Sequence, residues 1–187
     1  MPRSGQEARH RLQQAALELF TENGFDRTTT AEIAARAGVN DRTFFRHFPD
    51  KREVLFGGEA ELRDLLVTSM DSAPATDSVL DTLLAACLTT VDFHDAGRDF
   101  ARPRHALVAA TPELHERELS KLAALATAMA ESLRQRGIPE ARSRLAAQIG
   151  MAAFVSAVDS WYDDPSPGLA ALLRQAFDDV QEITSSR

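Results

Sequence analysis

Residues 28–51 read TTTAEIAARAGVNDRTFFRHFPDK, and what this stretch can fold into decides the rest. Thr29 stands three residues before Glu32, the spacing of a capping box, in which each side chain bonds the other's backbone N–H at a helix start. Ile33, Ala34 and Ala37 then fall on one face, and Gly38 stops the helix after roughly two turns. Asn40 can cap a second short helix, which Pro49 ends near Phe48, because the residue before a proline is pushed out of helical geometry. At about 100° per residue, Phe44 and Phe48 share one side of that helix. Arg42 and Arg46 lie opposite, with Thr43 and Phe45 on the flanks. The two rings are therefore expected in a core with Leu19, Phe20, Ile33 and Ala37, and the guanidinium groups in solvent. Two short helices joined by the tight AGVN turn, the second exposing Arg and Thr, are the parts of a helix-turn-helix. A helix of this kind fits the DNA major groove, where arginine can donate two bonds to guanine O6 and N7.

Working outward, residues 7–22 carry Ala8, Leu12, Ala15, Ala16, Leu19 and Phe20 at helical spacing, and Gly24 can close that helix in a left-handed conformation. On the other side, Asp50 and Glu53 suggest a helix start opening the long run KREVLFGGEAELRDLLVTSM. Leu80, Leu83, Leu84, Cys87, Leu88 and Val91 form the stripe of another helix. Thr111-Pro112 caps the next, which runs through Leu122, Leu125, Met129 and Leu133 to Gly137. IPEARS opens a helix ending near Trp161, DDPSPG breaks the chain, and Leu169 to Val180 forms the last stripe. The sequence shows no strand-like alternation or internal repeat. An all-α chain is predicted, with a three-helix helix-turn-helix domain over residues 1–53 and a body of about six longer helices over 54–187.

Charge sharpens this division. The 187 residues carry a net charge of −7, which taken whole disfavours a polyanionic partner. Residues 1–52, however, hold nine Lys or Arg against seven Asp or Glu, while the remainder holds twelve against twenty-one. A mildly basic head on an acidic body can meet a polyanion at one end only. The single Cys87 rules out an internal disulfide framework, no apolar run approaches membrane-spanning length, and the first residues lack the apolar core of a signal peptide. A cytoplasmic protein with no membrane association is expected.

The block TTTAEIAARAGVNDRTFFRHFPDKREVL, with ALELFTENGF before it, resembles the DNA-binding region of TetR-type transcriptional regulators over residues 8–56. The resemblance implies double-stranded DNA as partner. It places Thr29 and Thr30 where hydroxyl and backbone N–H groups meet phosphate, and Asn40, Asp41, Arg42 and Thr43 at the base-reading start of the recognition helix. Arg46 lies on the same outer face. His47 and Lys51 match phosphate contacts. Phe45 departs from the pattern, since the family usually has Tyr there, and the hydroxyl bond to phosphate is lost. The resemblance also implies a second domain that encloses a small-molecule pocket and forms a homodimer through its last two long helices, here residues 140–162 and 168–183. As a dimer the chain would read a palindrome.

Leu62, Leu66, Met70, Leu84, Leu88, Phe100, Leu107 and Phe154 are candidates to line an apolar effector pocket. Arg104, in the basic stretch GRDFARPRH at 97–105, could meet an anionic head. Residues 102–133 with Trp161 are similar to the subset of these regulators with acyl-CoA-like ligands. Two other classes stay open. A DNA-binding architectural protein would need no effector. An enzyme would need a catalytic constellation, and the sequence offers no phosphate-cradling Gly loop, nucleophile elbow or metal-spaced Cys/His cluster. Neither cofactor nor metal is expected.

Overall fold

The structure, a computed structural model, describes residues 3–185. Among them the helices are α1 (Arg3–Asn23), α2 (Thr30–Arg36), α3 (Asp41–His47), α4 (Glu59–Ser72), α5 (Val79–Leu88), α6 (Val91–Ala110), α7 (Pro112–Gln135), α8 (Glu140–Asp163) and α9 (Leu169–Ser185). The described residues contain no strand, and the all-α expectation holds.

The local signals act as read. Gly24 and Gly38 take φ of 85° and 69°, conformations a Cβ would strain, so α1 and α2 end where they do. Thr29 and Glu32 form the capping box in full: Thr29 N donates to Glu32 Oε2 at 2.8 Å, and Glu32 N donates to Thr29 Oγ1 at 3.2 Å. Asn40 caps α3, its Oδ1 accepting from Thr43 N at 2.8 Å.

The stretch after α3 differs from expectation. A long helix from Asp50 does not form. Residues 53–55 make one 3-10 turn, and α4 begins only at Glu59. The glycine pair at 57–58 accounts for the break, with Gly58 at φ 92°. The stripe from Leu80 to Val91 is likewise divided, since α5 ends at Leu88 and Val91 opens α6. That helix carries Pro103 inside it, which removes one backbone donor at an exposed position.

The chain forms two compact units. One comprises the chain up to Glu59 together with Arg98–Leu119; the other comprises Ala60–Gly97 and the chain from Ser120 onward. The two units are thus interleaved along the chain. The reason is the core of the first unit. Leu12, Phe20, Ile33, Phe44, Phe48, Val54 and Leu55 share one buried cluster with Val108 and Leu114, and Phe100 and Leu107 pack against it. At about 25 cal/mol per Å² of apolar surface, each fully buried Phe or Leu contributes roughly 1.5–3 kcal/mol before entropy is charged. The first three helices thus borrow apolar surface from α6 and α7.

In the second unit, α8 packs on α9, and α5 packs on both. Gly150 permits the close approach of α5: a Cβ placed there would lie 3.1 Å from Leu83 Cδ1. Arg136 closes the end of α4, donating to the Met70 and Ala73 carbonyls at 3.1 and 2.7 Å and to the Pro74 carbonyl at 2.8 Å. These are carbonyls at the C-terminal end of a helix, where a cation is favoured.

Candidate nucleic-acid interface

Phe44 and Phe48 are fully buried, their ring centroids 5.7 Å apart, and they anchor the inner side of α3. The outer side carries Asp41, Arg42, Phe45 and Arg46, all exposed. Among the described residues no hydrogen bond or ion pair engages Arg42 or Arg46, so both guanidinium groups keep their donors available. Phe45 is 51% exposed and meets Phe44 edge-on at 5.4 Å. Its ring can press on a sugar or a thymine methyl, with no hydroxyl to offer phosphate.

The remaining candidates carry internal work. Asn40 Oδ1 accepts from the Thr43 hydroxyl at 2.9 Å as well as from its N–H, so these two side chains hold the first turn of α3. Thr29 is exposed but bonded to Glu32, whose carboxyl is held below its usual range by the Thr29 backbone and then hydroxyl bonds. Thr30, half-buried, opens α2.

His47 and Lys51 have surroundings within the first unit. The His47 Nε2 is shut off from water with no hydrogen-bond partner, and burial, then Arg46 and Arg9, push the imidazole below its usual pKa. The Lys51 ammonium donates to the carbonyls of Phe25 (2.8 Å), Thr28 (3.2 Å) and Asp26 (3.4 Å) and lies 4.2 Å from the centre of the Phe25 ring. These contacts tie residue 51 back to the loop that follows α1. Sequence reading also missed Arg9, which donates to the His47 carbonyl at 3.2 Å and lies over the Phe48 ring at 4.5 Å. Its position gave no local signal, because its partners at His47 and Phe48 are distant in the chain.

The residues expected at an effector pocket fall in both units. Leu62, Leu66, Met70, Leu84, Leu88 and Phe154 belong to the second, with Leu66, Met70 and Phe154 buried. Phe100, Arg104 and Leu107 belong to the first. Arg104 is occupied there: it donates to the Leu55 carbonyl at 2.6 Å and to Glu118 at 3.1 Å, and lies over the Phe56 ring at 4.7 Å. Cys87 is buried and its thiol is pushed up to about 12 by that burial, so it is unreactive. Among the described residues no group of three His, Cys, Asp or Glu could hold a metal ion, and no helix is long and apolar enough to cross a membrane.

A basic, unpaired helix face above a compact three-helix core is the arrangement of a DNA-binding head, and comparison with known proteins agrees. Residues 12–56 match bacterial regulatory proteins of the tetR family, and residues 77–184 match the MftR C-terminal domain. The chain belongs to the tetR family of bacterial regulatory proteins and is a DNA-binding transcriptional regulator with a helical ligand-binding domain. It is similar to a protein of Mycobacterium tuberculosis described as the mycofactocin biosynthesis transcriptional regulator MftR, with 26% identity over 91% of this chain and 88% of that one. It also resembles FadR of Thermus thermophilus, a TetR-family repressor solved in complex with lauroyl-CoA, at 25% identity and a TM-score of 0.58 over 96% of each chain. The nucleoid occlusion factor SlmA of Photobacterium profundum is 29% identical over 74% of this chain and 75% of its own. The family and the MftR and FadR relatives are transcriptional regulators.

Proposed function

We propose that the protein is a cytoplasmic repressor that binds a palindromic operator as a homodimer and leaves it when a small hydrophobic effector, acyl-CoA-like, occupies the second unit. The observation that carries the DNA half is the pair of exposed, unpartnered guanidinium groups of Arg42 and Arg46 on the outer side of α3. Arg42 reads a base edge, Arg46 supports it, and Thr29 and Thr30 approach phosphate. One short helix reads few base pairs, so useful selectivity needs two copies on two half-sites.

Dimerisation runs through the outer faces of α8 and α9. Leu145 and Ile183 are 58% and 76% exposed, and Leu172, Ala176 and Val180 continue the α9 stripe half-buried. The small residues Ala147, Gly150, Ala153 and Ala157 are buried within the chain, so the dimer face is the opposite side of α8. The effector half draws on the likeness to FadR, whose solved complex holds lauroyl-CoA. Coupling cannot run along a helix from Asp50, since the chain breaks at Gly57 and Gly58; α6 and α7 are the better carriers, because each is continuous from one compact unit into the other.

Operator affinity measured with and without saturating lauroyl-CoA tests this reading. A typical coupling of about 1–3 kcal/mol would weaken binding by roughly 5- to 150-fold. An unchanged dissociation constant would remove the effector half and favour the effector-independent architectural reading, which the likeness to the nucleoid occlusion factor supports.

A further inference from the structure

In the described residues two buried imidazole nitrogens lack a hydrogen-bond partner, Nε2 of His47 and Nε2 of His94. The second has surroundings that point to a ligand. His94, half-buried, lies in the first turns of α6, and three rings of the second unit lie against it. Phe93 stands edge-on at 5.5 Å between centroids, Phe154 lies at 5.6 Å and Trp161 at 6.4 Å. Tyr162 backs Trp161 at 5.4 Å. Phe154 is one of the residues already assigned to the effector.

A nitrogen closed off from water and left unpaired among rings is disfavoured, and native structures rarely keep one without a use. Its chemistry narrows the partner. Burial lowers the imidazole pKa to about 4 against the opposing pull of Asp95, so the ring is neutral near pH 7 and cannot hold a carboxylate or phosphate by charge. A neutral imidazole offers Nε2 as one donor or one acceptor according to tautomer. A hydroxyl can answer either. The flanking rings favour a flat apolar body that stacks or meets them edge-on.

We propose that His94, with Phe93, Phe154 and Trp161, forms a subsite for an uncharged, mainly apolar ligand bearing a hydroxyl group, a phenol being the best match. This rests on the reading that a small hydrophobic effector occupies the second unit, and departs from it in naming an uncharged hydroxylated ligand in place of an acyl-CoA-like one.

Trp161 is the only tryptophan in the chain, so its fluorescence reports on the subsite directly. The full chain is titrated with 4-tert-butylphenol and with tert-butylbenzene, which differ by the hydroxyl alone. The expected result is saturable quenching by both, with the phenol bound at least ~5-fold tighter, the worth of one hydrogen bond to a buried group. In His94→Phe that preference disappears. No saturable response to the phenol, equal affinities, or a preference that survives in His94→Phe would overturn the subsite. Should the variant fold poorly, imidazole ¹⁵N resonances of the unaltered protein decide: His94 Nε2 moves on adding the phenol and not the hydrocarbon, and a resonance that stays put overturns the proposal. A bound water serving Nε2 in both states would give that negative result. Duplex binding by the same preparation keeps the two claims apart. A silent phenol titration with intact DNA binding removes only the subsite, whereas loss of DNA binding removes the regulator reading beneath it.

Discussion

Arg104 Nε donates to the Leu55 carbonyl at 2.6 Å, fastening the later part of α6 to the 3-10 turn that follows the recognition helix. The same guanidinium pairs with Glu118 at 3.1 Å and covers the Phe56 ring, and Arg117 pairs with Glu53 close by. Three elements of the first unit thus meet at one side chain.

Arg104→Met retains much of the stem and removes the donors, leaving the Leu55 carbonyl and the Glu118 carboxylate without them. Stability should fall by about 1–3 kcal/mol, the penalty of unmade bonds at partly buried groups. Urea denaturation followed by circular dichroism reads this. A midpoint unchanged from the parent would show that the contact does not fasten the turn.

Lys51 invites a test of two roles. Its three carbonyl acceptors make it a clamp on the loop after α1, so Lys51→Met should lower the melting temperature. The salt dependence of duplex binding should stay as it was. A phosphate contact would instead reduce the slope of log K against log salt by about one unit while sparing the fold.

His94 makes stability depend on pH with a definite sign. Its folded pKa, about 4, lies below the ordinary 6.5, so in that window the unfolded chain binds more protons than the folded one. The folded state is therefore favoured above about 6.5 and loses that advantage as pH falls toward 4. His94→Phe should flatten the curve by on the order of 1–3 kcal/mol between pH 7 and pH 4.5. Paired denaturation curves at the two pH values check it; parallel losses in parent and variant would assign the acid sensitivity elsewhere.

The two sides of α8 should separate on substitution. Gly150→Val drives a side chain into Leu83 and should destabilise the fold by about 1–3 kcal/mol through overpacking. Leu145→Glu with Ile183→Glu should leave the melting of each chain nearly intact and shift the protein to monomers in sedimentation. A dimer that survives both charges lies on another face.

The head was legible because its signals are local. Thr29 with Glu32, Gly38, Asn40 and Pro49 each act within a few residues, and the four-residue interval between Phe44 and Phe48 fixes which side of α3 is inner. What lay hidden depends on distant chain. Nothing near Arg104 indicates that Leu55 is its partner 49 residues away, and nothing near Lys51 indicates the carbonyls of the 25–28 loop. Pro103 obscured α6, since a proline inside a helix usually reads as its end. The glycine pair at 57–58 was a readable break, masked by the apolar periodicity on both sides of it. The surroundings of His94 were hidden because two of its three rings, Phe154 and Trp161, lie far along the chain.

Selection of duplexes from a random pool, with the parent protein and with Arg42→Ala in parallel, bears most directly on the outer face of α3. The parent should enrich an inverted repeat, and Arg42→Ala should lose about 1–3 kcal/mol of discrimination at one base pair in each half-site while the other positions stay fixed. Enrichment of no sequence by the parent, or of an identical repeat with undiminished preference by the variant, would contradict DNA reading through that helix.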